Sequence, residues 1–324
     1  MTIGQESAGL ALRISVTDRC PLHCVYCRPV PVGDLCKSAD LLQTADVVRF
    51  VRTAQATLPV GKVRLTGGEP LVRRDIVDIV AALAPLELPD LALTTNGQRL
   101  ASQARRLRQA GLDRINISLD SLDAEIFRQL SQGGDLTRTI AGIEAARTAG
   151  LDPVRINTVV LRGINDHQAE SLLTFALDRG CELRFIELMP SGLRAQDYAG
   201  WFLSSHELRV RLGSRFKLVP EDAVPGSSSR RFRVLGPAGQ RGWVGFISPN
   251  SHPFCSGCRR LRLTADGRLM GCLGRPDHIR LTGLLRSAEE GAEARIAAAL
   301  LVALGCKRQP GPFSPAVPMS AVGG

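Results

Sequence analysis

Between Leu12 and about Met189 the chain alternates two hydrophobic rhythms. Short runs rich in Val, Ile and Leu predict strands: LRISV (12–16), KVRLT (62–66), LALTT (91–95), RINISL (114–119), PVRINTVV (153–160) and ELRFIEL (182–188). The segments between them carry apolar residues at helical spacing and predict helices. These are TADVVRFVRTAQA from a capping Thr44, DIVDIVAALA, QRLASQARRLRQAG ending at Gly111, DLTRTIAGIEAARTAG ending at Gly150, and DHQAESLLTFALDRG ending at Gly180. Strands separated by helices imply β/α units with a parallel sheet. A complete eightfold barrel takes about 250 residues, so the roughly 180 available here predict an incomplete (β/α)6-type barrel with one side to be covered.

After Pro190 the rhythm breaks. PSGLRAQDYAGW reads as irregular, SSHELRVRLG as one helix and PEDAVPGSSSRR as a linker. RFRVL, GWVGFI and RLRLTADGRLM are strand-like, with ADG as a tight turn. The expected architecture is therefore α/β: a partial barrel over 1–215 and a smaller C-terminal α+β module over 216–324 that closes the open side. No other internal repeat is visible.

Composition narrows the possible functions. With 324 residues and 44% hydrophobic positions, the chain can bury a large core. DIVDIVAALA and ARIAAALLVAL are too short or too broken by charge to span a bilayer, and MTIGQESAGL lacks the plan of a secretory signal. A cytoplasmic protein with no membrane partner is expected. The net charge of +10, from 41 basic and 31 acidic residues, suits polyanions such as nucleotides. Aromatic content of 4% argues against binding single-stranded nucleic acid by base stacking.

Nine cysteines in such a chain do not suggest a disulfide framework. They form two trios, Cys20/Cys24/Cys27 and Cys255/Cys258/Cys272. Cys36, Cys181 and Cys306 are left as packing residues or surface thiols. The first trio, CPLHCVYC, directly follows the first predicted strand, at the end where barrel active sites lie. Three thiolates on a 4Fe-4S cluster leave one iron open; the same cysteines could bind zinc with His23 or Cys36 as a fourth ligand. LTGGEP follows the second strand. There Gly67 and Gly68 allow a close backbone approach, and Glu69 and Pro70 fix the turn into the next helix. The second trio fits a cluster or, with His252 or His278, a zinc site. In the adjoining CRRLRLT, Arg260 and Arg262 alternate along a strand and so share a face suited to phosphate or carboxylate.

The CxxxCxxC loop followed by GGEP resembles the radical S-adenosylmethionine (SAM) superfamily. Together with LTTNG, NISLDSLD, FIELMP, GFISPNSHPFCSGCRRLRLTADGRLMGCL and the terminal Gly-Gly, the chain resembles the GTP 3',8-cyclase family (molybdenum cofactor biosynthesis protein A) from about Leu12 to Gly324. The resemblance implies two 4Fe-4S clusters, SAM as cofactor, GTP as substrate and the first step of molybdenum cofactor biosynthesis. It assigns Cys20, Cys24 and Cys27 to the SAM cluster, and Tyr26, Gly67, Gly68, Glu69, Ser118 and Met189 to SAM. Cys255, Cys258 and Cys272 would hold the second cluster. Arg13, Arg64, Thr94, Arg155, Arg260, Leu261 and Arg262 would line the GTP site, with Arg260, Arg262 and the tail Gly323 and Gly324 needed for turnover. In such an enzyme, a radical derived from SAM takes hydrogen from the ribose C3' of GTP, and C3' then joins C8 of the guanine. An electron donor, a downstream cyclic pyranopterin monophosphate synthase and a homodimer are further expectations. Two positions depart from the family pattern: Arg28, where Met is common, and Arg155, where Lys is usual. Rival readings are a radical SAM enzyme that modifies peptides and a zinc-dependent nucleic-acid binder.

Overall fold

Alternation within the strands sets the architecture. In each of the first six, Leu, Ile, Val or Ala fills one face while polar residues fill much of the other, so one face must meet helices and the other must enclose something polar. A computed structural model describes residues 9–27, 35–190, 193–224, 226–275 and 277–306. Its strands are β1 (Leu10–Ser15), β2 (Val60–Thr66), β3 (Leu91–Thr95), β4 (Arg114–Ser118), β5 (Val154–Val160), β6 (Glu182–Glu187), β7 (Lys217–Pro220), β8 (Ser229–Leu235), β9 (Arg241–Ile247), β10 (Arg260–Leu263), β11 (Arg268–Met270) and β12 (Ile279–Arg280). The helices are α1 (Thr44–Thr57), α2 (Ile76–Leu83), α3 (Ala104–Gln109), α4 (Ala124–Ser131), α5 (Leu136–Thr148), α6 (Ala169–Asp178), α7 (Ala195–Trp201), α8 (Ser205–Gly213), α9 (Thr282–Arg286) and α10 (Ala292–Gly305).

All strands join one open sheet in the order β12-β11-β10-β1-β2-β3-β4-β5-β6-β9-β8-β7. The six expected parallel strands are present, and the C-terminal chain adds to both edges. There β10 runs parallel to β1, and β9 parallel to β6. The sheet is largely parallel and does not close. Antiparallel strands follow at each edge, β11 and β12 on one side and β8 and β7 on the other.

One face of the sheet, with Leu12, Ile14, Val63, Leu65, Leu93, Ile115, Ile156 and Leu183 at 1% exposure or less, packs into the main core. Phe50 of α1, Ile79 of α2 and Leu172 of α6 lie in that core. The helices differ in places from those read in the sequence. The N-cap of α1 is Gln43, whose N–H donates to Asp46 Oδ2 at 2.9 Å, with Thr44 one position inside. Helix α4 occupies a stretch with no expected helix; Asp123 caps it by accepting from the N–H groups of Glu125 and Ile126, both at 2.9 Å. Helix α7 forms in the region read as irregular, and α3 begins later than its pattern suggests.

Candidate functional site

The face opposite the core is polar. In the register of neighbouring strands Arg262 of β10 lies beside Arg13 of β1, which lies beside Arg64 of β2. Further round, Thr94 of β3, Asn116 of β4, Arg155 of β5 and Glu182 of β6 form a second row, and Asn157 pairs with Arg184. Lys62, Arg114 and Ser118 share this face by alternation, two positions from Arg64 or Asn116. Burial pushes Arg13 well below the usual arginine range, with Arg262, Arg64 and Arg260 adding repulsion. Arg64 is lowered by burial and then by Arg114, Arg184 and Arg155, against the pull of Asp90. Arg262 falls to about 10 through burial and Arg260, while Cys258 and Cys272 act in the opposite direction. So many cations facing one space call for a polyanion. Buried polar atoms there also lack a hydrogen-bond partner: Arg64 Nε, Asn116 Oδ1 and Asn157 Oδ1.

The first cysteine trio caps the carboxyl ends of the strands. His23 N–H donates to Ser131 O at 3.1 Å and Val25 N–H to Leu130 O at 3.0 Å, so the end of α4 carries the loop. Cys27 N–H donates to Cys24 O at 2.9 Å. Burial raises the Cys24 thiol well above its usual range, and Cys27, Asp120 and Cys20 raise it further. The Tyr26 hydroxyl donates to Asp120 Oδ2, and Asp120 Oδ1 accepts Val159 N–H at 2.8 Å. Asp120 itself is pushed up to about 6 by burial, against the bonds from Tyr26 and Val159.

The glycines of GGEP lie against this loop. A Cβ on Gly67 would come 2.3 Å from Thr17 O, and one on Gly68 2.4 Å from Arg19 O. The close approach they permit is thus to the backbone leading into Cys20. Glu69, 2% exposed, accepts from Leu71 N–H, the Thr95 hydroxyl and Asn96 N–H, binding this turn to the end of β3. Met189 stands two residues beyond β6, partly buried.

The second trio lies at the other end of the sheet. Cys258 precedes the amino end of β10 by two residues, and Cys272 follows β11, which runs antiparallel to β10. The six residues of β1 separate this end from the first trio, roughly 20 Å at about 3.3 Å per residue. Cys258 N–H donates to Cys255 O at 3.1 Å. The Arg260 guanidinium stacks over Phe254, 4.5 Å from the ring centroid, which places it against the segment bearing Cys255. Glu187, 3% exposed, accepts from the N–H groups of Ser205, Asn250 and Ser251 and so ties this segment to β6. Among the described residues no three His, Cys, Asp or Glu side chains are already drawn into a coordination sphere. The donor chemistry of each trio, three partly buried thiols on loops, fits a thiolate-ligated iron–sulfur cluster.

The structure therefore brings Arg13, Arg64, Thr94, Arg155, Arg260 and Arg262 to one face of the sheet. Leu261 differs: it pairs with Leu12 and is fully buried in the core, so its side chain lies on the opposite face. Arg28, Gly323 and Gly324 lie outside the described residues. Lys62, Arg114, Asn116, Asp120, Asn157, Glu182 and Arg184 were not singled out from the sequence. Their signal was present in RINIS and VRINTVV, where polar residues alternate with β-branched ones.

Residues 14–176 match the model of the radical SAM superfamily, and residues 181–310 that of Molybdenum Cofactor Synthesis C. A GTP 3',8-cyclase from Pseudomonas putida (strain W619) is 45% identical over 87% of this chain and 84% of its own. The GTP 3',8-cyclase of Paenarthrobacter nicotinovorans is 44% identical over 85% of this chain and 81% of its own. Among solved structures, Streptococcus suis SuiB bound to S-adenosylmethionine aligns with a TM-score of 0.63 at 17% identity, covering 89% of this chain and 68% of that one. That likeness concerns the fold.

Proposed function

The chain belongs to the GTP 3',8-cyclase family within the radical SAM superfamily, and on that premise we propose that GTP is bound in the arginine-lined cavity between the two cysteine trios. The activity is conversion of GTP to 3',8-cyclo-7,8-dihydroguanosine 5'-triphosphate, the first step of molybdenum cofactor biosynthesis. The single observation that carries the site assignment is the row Arg262, Arg13 and Arg64 on three adjacent strands, with one cysteine trio past the carboxyl end of β1 and the other ahead of the amino end of β10.

Cys20, Cys24 and Cys27 would hold the cluster that works with SAM, and Cys255, Cys258 and Cys272 a second 4Fe-4S cluster. Bound there, the first cluster with SAM would supply the one-electron chemistry that removes hydrogen from the ribose C3' of GTP. The protein's own part is placement. Arg13, Arg64, Arg155 and Arg262 neutralise the triphosphate, and their desolvation strengthens each contact. Arg260, stacked on Phe254, reaches from the segment of the second trio. Thr94 and the Leu261 backbone complete the GTP side. On the SAM side Tyr26, steadied by Asp120, lies with Gly67, Gly68, Glu69, Ser118 and Met189. Holding the substrate from both ends keeps C3' fixed against the radical source and shields it from water. Gly323 and Gly324 act from the tail. An electron donor, a cyclic pyranopterin monophosphate synthase downstream and a homodimer complete the reading.

The test is anaerobic turnover with GTP deuterated at C3'. Deuterium in the released 5'-deoxyadenosine is the expected result. Unlabelled 5'-deoxyadenosine from protein with intact clusters would remove GTP as the substrate.

A further inference from the structure

We propose that Glu182 is a positioning residue that sets the cavity's grip on a polyphosphate, by gathering Arg155, Arg184 and Arg231 from three strands into one guanidinium cluster. The inference rests on the reading of the cavity as a GTP site.

Among the described strands only two acidic residues occur, Glu182 and Glu187. Glu187 serves the loop at the carboxyl end of β6, whereas Glu182 faces the cavity. One of its oxygens accepts from Arg184 Nε at 2.6 Å and the other from Arg155 Nε at 3.1 Å. Arg231 of β8 brings a nitrogen to 3.8 Å. Glu182 and Arg184 are 4% exposed and Arg155 3%. A guanidinium held through Nε has its plane fixed, so the directions of its remaining N–H groups are set as well. Space for this arrangement comes from Gly245, which pairs with Arg184 on one side and Arg231 on the other. A Cβ there would meet Ser229 Oγ at 2.2 Å and Arg184 Cγ at 3.3 Å. Arg231 is braced in turn by Glu221 at 3.5 Å and by the Trp243 ring, 5.3 Å away. Three cations around one carboxylate leave a net positive cluster of fixed geometry, which suits several phosphates and not one.

The test uses anaerobically reconstituted protein and the dissociation constants of GTP, GDP and GMP. Wild type is expected to bind more tightly with each added phosphate. Glu182→Gln should weaken GTP binding by about tenfold or more while changing GMP binding little, so the GTP:GMP ratio collapses; Glu182→Asp should recover part of it. A purely structural role would lower the folded fraction and leave that ratio unchanged. An unchanged ratio in folded Glu182→Gln with full iron content overturns the proposal. Should that variant fail to fold, Glu182→Asp and Arg231→Gln decide: a reduced ratio in both supports the proposal, and an unchanged ratio overturns it. If wild type shows no dependence on phosphate number, the GTP reading itself fails, and with it the premise for Glu182.

Discussion

Replacing Gly68 with Ala tests how the two loops at the carboxyl end of the sheet depend on each other. The added Cβ would lie 2.4 Å from Arg19 O, 2.6 Å from Arg19 C and 2.7 Å from Asp18 O, all backbone atoms. Ordinary contact begins near about 3.4 Å, so the loops must part by about 1 Å. Two hydrogen bonds span the same gap, Gly68 N–H to Thr17 O at 2.6 Å and Glu69 N–H to Arg19 O at 2.8 Å. Losing or stretching these costs about 1 kcal/mol each, and overpacking about 1–3 kcal/mol, so a destabilisation of roughly 2–4 kcal/mol is expected. Because the displaced strand of backbone leads into Cys20, iron occupancy should fall with it. Urea unfolding of the metal-free protein and iron and sulfide content after reconstitution give the two readouts. Gly283→Ala is the control. Nothing lies within 4 Å of its added Cβ in α9, so it should gain about 0.5–1 kcal/mol. Stability within about 0.5 kcal/mol of wild type and full iron in Gly68→Ala would refute the argument from close approach.

Arg64→Met removes one charge from a cluster in which burial, Arg114, Arg184 and Arg155 all oppose it. Stability without GTP should hold or rise by about 1–2 kcal/mol, while GTP affinity falls at least about tenfold; lower stability with unchanged affinity would contradict this. Tyr26→Phe leaves the buried Asp120 carboxylate without its phenol donor and should cost about 1–3 kcal/mol by denaturant titration. Burial alone would raise the Glu182 carboxyl, yet Arg184, Arg155 and Arg231 hold it at about 2, below its ordinary 4.5. A depressed carboxylate contributes stability above about 4.5 that is lost as pH falls toward 2, on the order of 3 kcal/mol; denaturant midpoints of Glu182→Gln should lack that component. Cys258→Ser should lose about half the iron and Cys36→Ser none, by metal analysis after reconstitution.

The parallel β/α rhythm was legible because buried strands and amphipathic helices impose different periods on their side chains. The row Arg262, Arg13 and Arg64 was only half legible. Alternation gives a face within one strand, but which residues become neighbours depends on register between segments nearly 250 positions apart in sequence. The insertion of β10 beside β1 and of β9 beside β6 was not readable for the same reason. RLRL and GWVGFI state that they are strands, not which edge they join. Helix α4 was overlooked although Asp123 signalled its start, because the apolar spacing of AEIFRQLS spans barely two turns. Leu261 shows what alternation does settle. A residue flanked by two site arginines must point away from the site if the segment is a strand.

The sheet's openness and its polar interior follow from one another. A closed barrel of this size fills its centre with side chains. Here the centre is lined by guanidinium groups: burial first, and repulsion between them second, lowers Arg13, Arg64 and Arg262. Such a lining can be held only where outside partners relieve it in part: Asp90 against Lys62 and Arg114, Glu182 against Arg155 and Arg184, Phe254 beneath Arg260. These partners stand at the margins of the polar face. The C-terminal part of the chain supplies one of these margins, Phe254, which precedes β10. Substrate charge and fold completion are therefore coupled, and a polyanion that relieves the row should also tighten the attachment of the sheet edge that β10 joins.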